Sequence, residues 1–213
     1  MANAVLDKPQ KFPLAPYANG LSEDTVSPER YLARERIALN KHEYINGKMR
    51  EMSGASRVHN LLTGKIITVL TVASEGRDDC EVYPSDMRVS IPATNRYTYP
   101  DVIAVVGEEP QFTDDVFDTI RNPTLIVEVL SSSTEDYDRG EKLDHYKTIP
   151  SLREYVLVSQ SEYKVTVSVR DATGAWQENS ATALASSVSL DSLGVTVALA
   201  DLYRRVGVAA PTS

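Results

Sequence analysis

The chain is 213 residues long, 42% hydrophobic and 24% charged, enough apolar material for the core of one soluble domain. Its formal net charge of -8 argues against a broadly basic protein that coats nucleic acid, while leaving room for a local basic cleft or a metal-bridged contact. The one cysteine, Cys80, excludes an internal disulfide and, with only three histidines, a Cys-rich zinc site. No run approaches the roughly 18 apolar residues of a membrane helix. No signal peptide is read at the start, so the expected setting is the cytoplasm.

Residues 1–27, with Pro9, Pro13 and Pro16, read as an extended or disordered arm before a single domain over 28–206, and 207–213 read as a tail. Ser27-Pro28-Glu29 has the form of an N-cap, a first-turn proline and an acidic first turn, so a helix is expected over 28–39. Asn46-Gly47, between two strand-like pieces, predicts a hairpin over 42–52. Ser56 opens an amphipathic helix on which Val58, Leu61, Leu62, Ile66 and Val69 share a face, with Gly76 as its stop.

One strand is expected over 81–91, with Pro84 at a bulge or edge, and a second over 102–106. The acidic stretch 107–121 reads as a surface loop. Leu125 to Leu130 is a strand, and Ser133 with Asp136 fits a capping box for a helix over 136–148. Strands follow over 154–158, 164–169 and from Ala175, then one strand-like piece over 188–199 and a helical turn over 199–205. The order implies a mixed α/β (α+β) sheet flanked by helices.

Two strands carry acids where acids are costly. Glu128 interrupts the apolar run Leu125-Ile126-Val127-Glu128-Val129-Leu130, and period two sets it on one face with Ile126 and Leu130. An ionised carboxylate there costs several kcal/mol or more unless a cation, a metal or a proton compensates it. Asp101 opens the apolar strand Val102-Ile103-Ala104-Val105-Val106. If the two acids converge, a divalent cation such as Mg2+ relieves their repulsion. Asp138, Lys142 and Tyr146 are spaced by four, so they share a helix face that can turn toward Glu128. A lysine there can orient an attacking water and stabilise developing negative charge.

Tyr99-Pro100-Asp101, Glu128-Val129-Leu130-Ser131, the Asp138, Lys142 and Tyr146 spacing, and Glu154-Tyr155-Val156-Leu157-Val158 together resemble the PD-(D/E)XK nuclease superfamily. More narrowly, the chain is similar over 27–205 to a large bacterial family grouped as restriction endonucleases, formerly a domain of unknown function. The resemblance implies a restriction-endonuclease-like core and a Mg2+- or Mn2+-dependent endonuclease acting on double-stranded DNA, with a homodimer as one form. It implies Asp101, Glu128 and the backbone carbonyl of Val129 as metal ligands. Where the superfamily places its lysine this chain has Leu130, and the resemblance points to Lys142 instead. Glu43 is a further candidate ligand or water-orienting group. His59 and Asp86 are candidates at or beside the metal, and Tyr146 beside the lysine.

Plainer roles stand beside these. Glu128 could pair with Arg57 or Arg88, Lys142 could form a solvated bridge to Asp138, and Tyr146 could be core. His42 and His145 read as surface residues. Arg50, Arg57, Arg88, Arg139 and Lys147 could line a basic cleft. A non-catalytic nucleic-acid-binding or regulatory module on the same fold is the first alternative. The second is a self-associating structural protein using its tyrosine-rich strands.

Overall fold

The computed structural model describes residues 24–131 and 134–208. The arm expected over 1–27 falls largely outside them, as do Ser133 of the expected capping box and most of the tail. The chain divides into two compact units, Met1–Met52 and Ser53–Ser213.

In the first unit, helix α1 (Pro28–Glu35) starts as the sequence predicts, with the Ser27 hydroxyl accepting the Arg30 N–H at 3.3 Å. It stops four residues short of expectation. Beyond Glu35 the apolar residues Ile37 and Leu39 are exposed, so there is no buried stripe to prolong it. The backbone tightens into turns closed by Ile37 N–H to Arg34 O and Ala38 N–H to Glu35 O. Strands β1 (His42–Ile45) and β2 (Lys48–Glu51) pair antiparallel. Their turn residues Asn46 and Gly47 both have positive φ, 46° and 93°, the geometry that an Asn-Gly turn supplies. His42 corrects the surface expectation. It is fully buried, its ring Nδ1 lies 3.0 Å from Glu35 Oε2, and its backbone N–H is donated to Glu35 Oε1.

In the second unit, α2 (Arg57–Ser74) is capped by the Ser56 hydroxyl, which accepts the His59 N–H at 3.0 Å. Leu62, Ile66 and Leu70 form its buried stripe. The strand expected over 81–91 is two strands, β3 (Cys80–Pro84) and β4 (Arg88–Ile91). Pro84 has no N–H with which to continue a ladder, and a Met87 N–H to Pro84 carbonyl bond closes the turn. β4 pairs antiparallel with β5 (Arg96–Thr98) and parallel with β7 (Thr119–Ile120). The connector expected to be loop over 107–121 therefore contributes a short strand, whose Thr119 and Ile120 are fully buried.

The main sheet has the order β11-β10-β9-β8-β6-β3. Its members include β6 (Val102–Val106), β8 (Leu125–Leu130), β9 (Glu154–Ser159), β10 (Val165–Arg170) and β11 (Trp176–Ala181). All six residues of β8 are buried. Period two splits it cleanly: Val127 and Val129 pack with Leu62, Ile66 and Leu70, while Ile126 and Leu130 pack with Ile103, Tyr146 and Tyr155.

β8 and β9 are parallel, and the crossover between them carries two short helices instead of the one predicted. These are α3 (Glu135–Arg139) and α4 (Glu141–Tyr146), broken at Gly140, whose φ of -110° and ψ of -100° are not helical. The piece expected as one strand near the end is a hairpin of β12 (Ser187–Leu190) and β13 (Val195–Ala198). The buried Glu154 carboxylate holds its turn by accepting the N–H groups of Asp191 and Ser192. Helix α5 (Leu199–Leu202) follows. The architecture is the mixed α+β class that the sequence implied. Among the described residues, no helix is long and apolar enough to cross a membrane.

Ser56→Ala removes the α2 cap and is expected to lower stability by about 1 kcal/mol. Urea denaturation followed by far-UV circular dichroism checks this, as a lower midpoint at unchanged slope.

Candidate active site

Antiparallel pairing of β6 with β8 sets Val102 against Val127 and Ile103 against Ile126. Continued by one residue, that register sets Asp101 opposite Glu128, and opposite residues of an antiparallel pair project to the same face. Continued by two, it sets Pro100 against Val129. Proline has no N–H to give the Val129 carbonyl, so the ladder ends there, and the Val129 N–H is taken instead by Asp101 Oδ2 at 2.7 Å. The N–H and C=O of one strand residue project to the same edge. The Val129 carbonyl therefore faces the edge on which Asp101 lies.

Glu128 is 4% exposed. Its Oε1 takes two bonds, from Lys142 Nζ at 2.7 Å and from the Tyr146 hydroxyl at 3.1 Å. Lys142 also stands 3.3 Å from Asp138 Oδ1. Burial holds the Glu128 carboxyl well above the usual carboxylate range. The Lys142 ammonium opposes that rise, while the charges of Asp138 and Asp101 add to it. The Tyr146 hydroxyl, 2.9 Å from Thr98 Oγ1, is pushed up mainly by its own burial. Tyr155 fixes the crossover by donating its hydroxyl to the Asp138 carbonyl at 2.9 Å. Thr134 does so by donating to Asp138 Oδ2 at 2.6 Å.

Asp101 is half-buried at the strand mouth, with His59 Nε2 3.1 Å from its Oδ2. Of the sequence candidates, Glu128, Lys142 and Tyr146 thus touch one another. Asp101, Val129 and His59 form the adjoining set, and Asp101 is close enough for its charge to act on Glu128. Asp86 is exposed in the turn joining β3 to β4, outside the buried cluster. Glu43 belongs to the first unit, where it is buried on β1 and ion-paired with Arg50 across the hairpin.

Several plainer expectations are corrected. Glu128 pairs with Lys142, not with an arginine: Arg57 donates to the Val206 carbonyl, and Arg88 holds Asp118, Thr119 and Tyr99. Arg88 is buried, which removes it from any basic cleft. The Asp138–Lys142 pair exists but is enclosed, both side chains being under a tenth exposed. Sequence reasoning put Asp138 on the face that turns toward Glu128 but gave it no role beyond a plainer solvated bridge to Lys142. It passed over Thr98 and read Tyr155 only as part of the strand segment 154–158. The i, i+4 spacing flagged Asp138, whereas nothing local to Thr98 signals that its hydroxyl meets Tyr146.

Among the described residues, no three of His, Cys, Asp and Glu converge tightly enough to hold a metal unaided. The donors present still fit a hard divalent cation, which needs one or two carboxylates and completes its shell with carbonyl, water and substrate phosphate. Asp101, Glu128 and the Val129 carbonyl are all oxygen donors. The proline that ends the ladder leaves the carbonyl available for such a role.

The chain is similar to known proteins over most of its length. A family model described as "Uma2: Putative restriction endonuclease" matches residues 28–200. A Synechocystis protein, "Uncharacterized protein sll1609", is 43% identical over 140 residues, covering 66% of this chain and 78% of that one. A second Synechocystis protein, "Uncharacterized protein slr1290", is 34% identical over 179 residues, covering 84% and 92%. The fold is also that of a crystal structure titled as a putative nuclease belonging to DUF820 from Anabaena variabilis, with a TM-score of 0.69. That likeness covers 85% of this chain and 99% of the other at 13% identity. The chain belongs to the Uma2 family, whose description is "Putative restriction endonuclease".

Proposed function

We propose that this protein is a Mg2+- or Mn2+-dependent endonuclease that hydrolyses phosphodiester bonds of double-stranded DNA in the cytoplasm. The observation that carries the reading is the buried Glu128 carboxylate, in contact with Lys142 at 2.7 Å and set opposite Asp101 by strand register. Asp101, Glu128 and the Val129 carbonyl would hold the cation. When bound, it would polarise a phosphoryl oxygen and lower the pKa of a coordinated water.

The remaining steps belong to the chain's own side chains. The Lys142 ammonium, anchored by Glu128 and Asp138, positions the attacking water and stabilises negative charge as it grows on the phosphate. Tyr146 and Thr98 hold the Glu128 carboxylate in one orientation. The Val129 N–H does the same for Asp101. Such fixed donors cost no reorganisation during the reaction. A homodimer would bring two such sites to the two strands of a duplex.

Plasmid DNA incubated with purified protein and Mg2+ or Mn2+ tests the reading. The wild type is expected to nick or linearise the plasmid. Glu128→Ala should be inactive, and Lys142→Ala should cut about 10²–10⁴-fold more slowly. Equal cutting by all three, or none by the wild type in either metal, counts against it.

The raised Glu128 pKa also sets a pH dependence. The folded protein holds this proton more tightly than the unfolded chain, so the proton stabilises the fold at pH below about 4.5, the unfolded value. That contribution is lost as pH climbs through the folded value. In metal-free protein, denaturation midpoints measured from pH 4 upward should therefore fall less steeply for Glu128→Gln than for the wild type. Identical slopes would mean that Glu128 does not titrate above its ordinary range.

A further inference from the structure

His59 stands in the first turn of α2, and two features fix it there. Its N–H is held by the Ser56 cap, and Leu62 and Ile66, one and two turns on, anchor the helix in the core. The ring then presents Nε2 to Asp101 Oδ2 at 3.1 Å, with both side chains about one-sixth exposed (15% and 16%). That separation matches the spacing, about 3 Å, of two neighbouring ligands each about 2.1 Å from one octahedral ion. The opposite ring nitrogen, Nδ1, faces Thr63 Oγ1 at 3.5 Å. A ligating histidine donates its second ring N–H to an oxygen and so has its tautomer fixed, a part the Thr63 hydroxyl can play for Nδ1.

We propose that His59 is itself a metal ligand, through Nε2, at the cation held by Asp101, and that it biases the site toward Mn2+ over Mg2+. The inference rests on the metal-dependent reading above and names the ion. Mg2+ takes oxygen ligands almost exclusively. An imidazole nitrogen adds little to its binding but does add to that of first-row transition ions, whose series begins at Mn2+. With His59 the donors on the Asp101 side of the site are one nitrogen, the Asp101 carboxylate and the Val129 carbonyl, with water and substrate phosphate completing the shell. The competing role is a hydrogen bond alone, with Nε2–H merely holding Asp101 in place.

The test uses the full chain without DNA, so that binding is read apart from cleavage. Mn2+-loaded wild type, and the same protein labelled with 15N-histidine, are examined by electron spin-echo envelope modulation. Mn2+ and Mg2+ affinities of wild type, His59→Ala and His59→Gln are measured by calorimetry. The expected spectrum shows a directly bound histidine nitrogen that responds to the label and is absent in both variants. Mn2+ affinity should fall by at least about tenfold in both variants, while Mg2+ affinity should change by less than about threefold.

His59→Gln keeps a hydrogen-bond donor for Asp101 but is a poor ligand. Wild-type Mn2+ affinity in that variant would therefore assign His59 the hydrogen-bond role and overturn the inference. Mn2+ bound to the wild type without histidine coupling would also overturn it, whatever the variants do, and would leave the metal-dependent reading standing. Mg2+ binding without Mn2+ binding by the wild type would overturn the inference alone, and binding of neither ion would overturn both.

Discussion

A carboxylate in the middle of the central strand is the constraint on which the rest of this structure depends. Glu128 lies on β8, between two apolar clusters and almost shut off from bulk solvent. Lys142 and Tyr146 answer that cost at a single oxygen, and the crossover from β8 to β9 exists in the form it does because it must deliver them. Breaking a buried pair by removing one partner costs roughly 3–5 kcal/mol, yet replacing both partners with well-packed apolar residues is often neutral or better. Stability alone therefore gives little reason to keep Glu128 and Lys142. Their presence in an otherwise apolar cluster is an argument for chemistry at that point.

The same reasoning extends across the sheet. Glu128 needs a strand inside the core, but a site needs an opening, and Pro100 provides the transition. On the β6 side the ladder holds as far as Val102, then meets a residue without an N–H. Asp101 replaces the missing ladder partner by accepting the Val129 N–H, so one backbone interruption both satisfies a donor and leaves a carbonyl facing the strand mouth. α2 closes the same edge, because its N-terminal turn places His59 against Asp101 while its later turns lie in the core. A buried element and an open element thus share one strand pair.

Much of this was legible in the sequence, and the parts that were not share a physical cause. The Asn46-Gly47 hairpin, the Ser56 cap and the β8 run are local signals, and each element formed where its residues call for it. The pairing of Glu128 with Lys142 was legible as helix spacing plus a costly strand acid. What failed was what depends on partners distant in sequence. Whether 81–91 is one strand or two depends on which sheets receive each half, and only Pro84 hinted at the break. Thr119 and Ile120 became a strand because β4 offered an edge for parallel pairing, which no local pattern in an acidic connector encodes. His42 looked like a surface residue because its partner, Glu35, is a helix residue whose burial is invisible in composition. For the same reason the plainer reading of the Asp138–Lys142 pair as solvated fails: the exposure of a helix face depends on the strand beneath it.

The acidic balance of the chain bears on how a phosphate backbone would be met. The basic residues that could have formed a cleft are committed elsewhere: Arg139 to Glu135, Lys147 to Asp144, Arg57 to the Val206 carbonyl and Arg88 to a buried network. Solvated pairs such as the first two are worth little and can be given up, but Arg88 cannot leave without exposing a buried hydrogen-bond set. These four residues therefore supply no broad positive field of the kind that draws duplexes nonspecifically. On the proposed reading attraction is local, from the cation that Asp101 and Glu128 would hold together with the Lys142 ammonium, acting at one phosphate. Contact would then be short-ranged and strongly dependent on the metal, which matches a site whose own charges are acids.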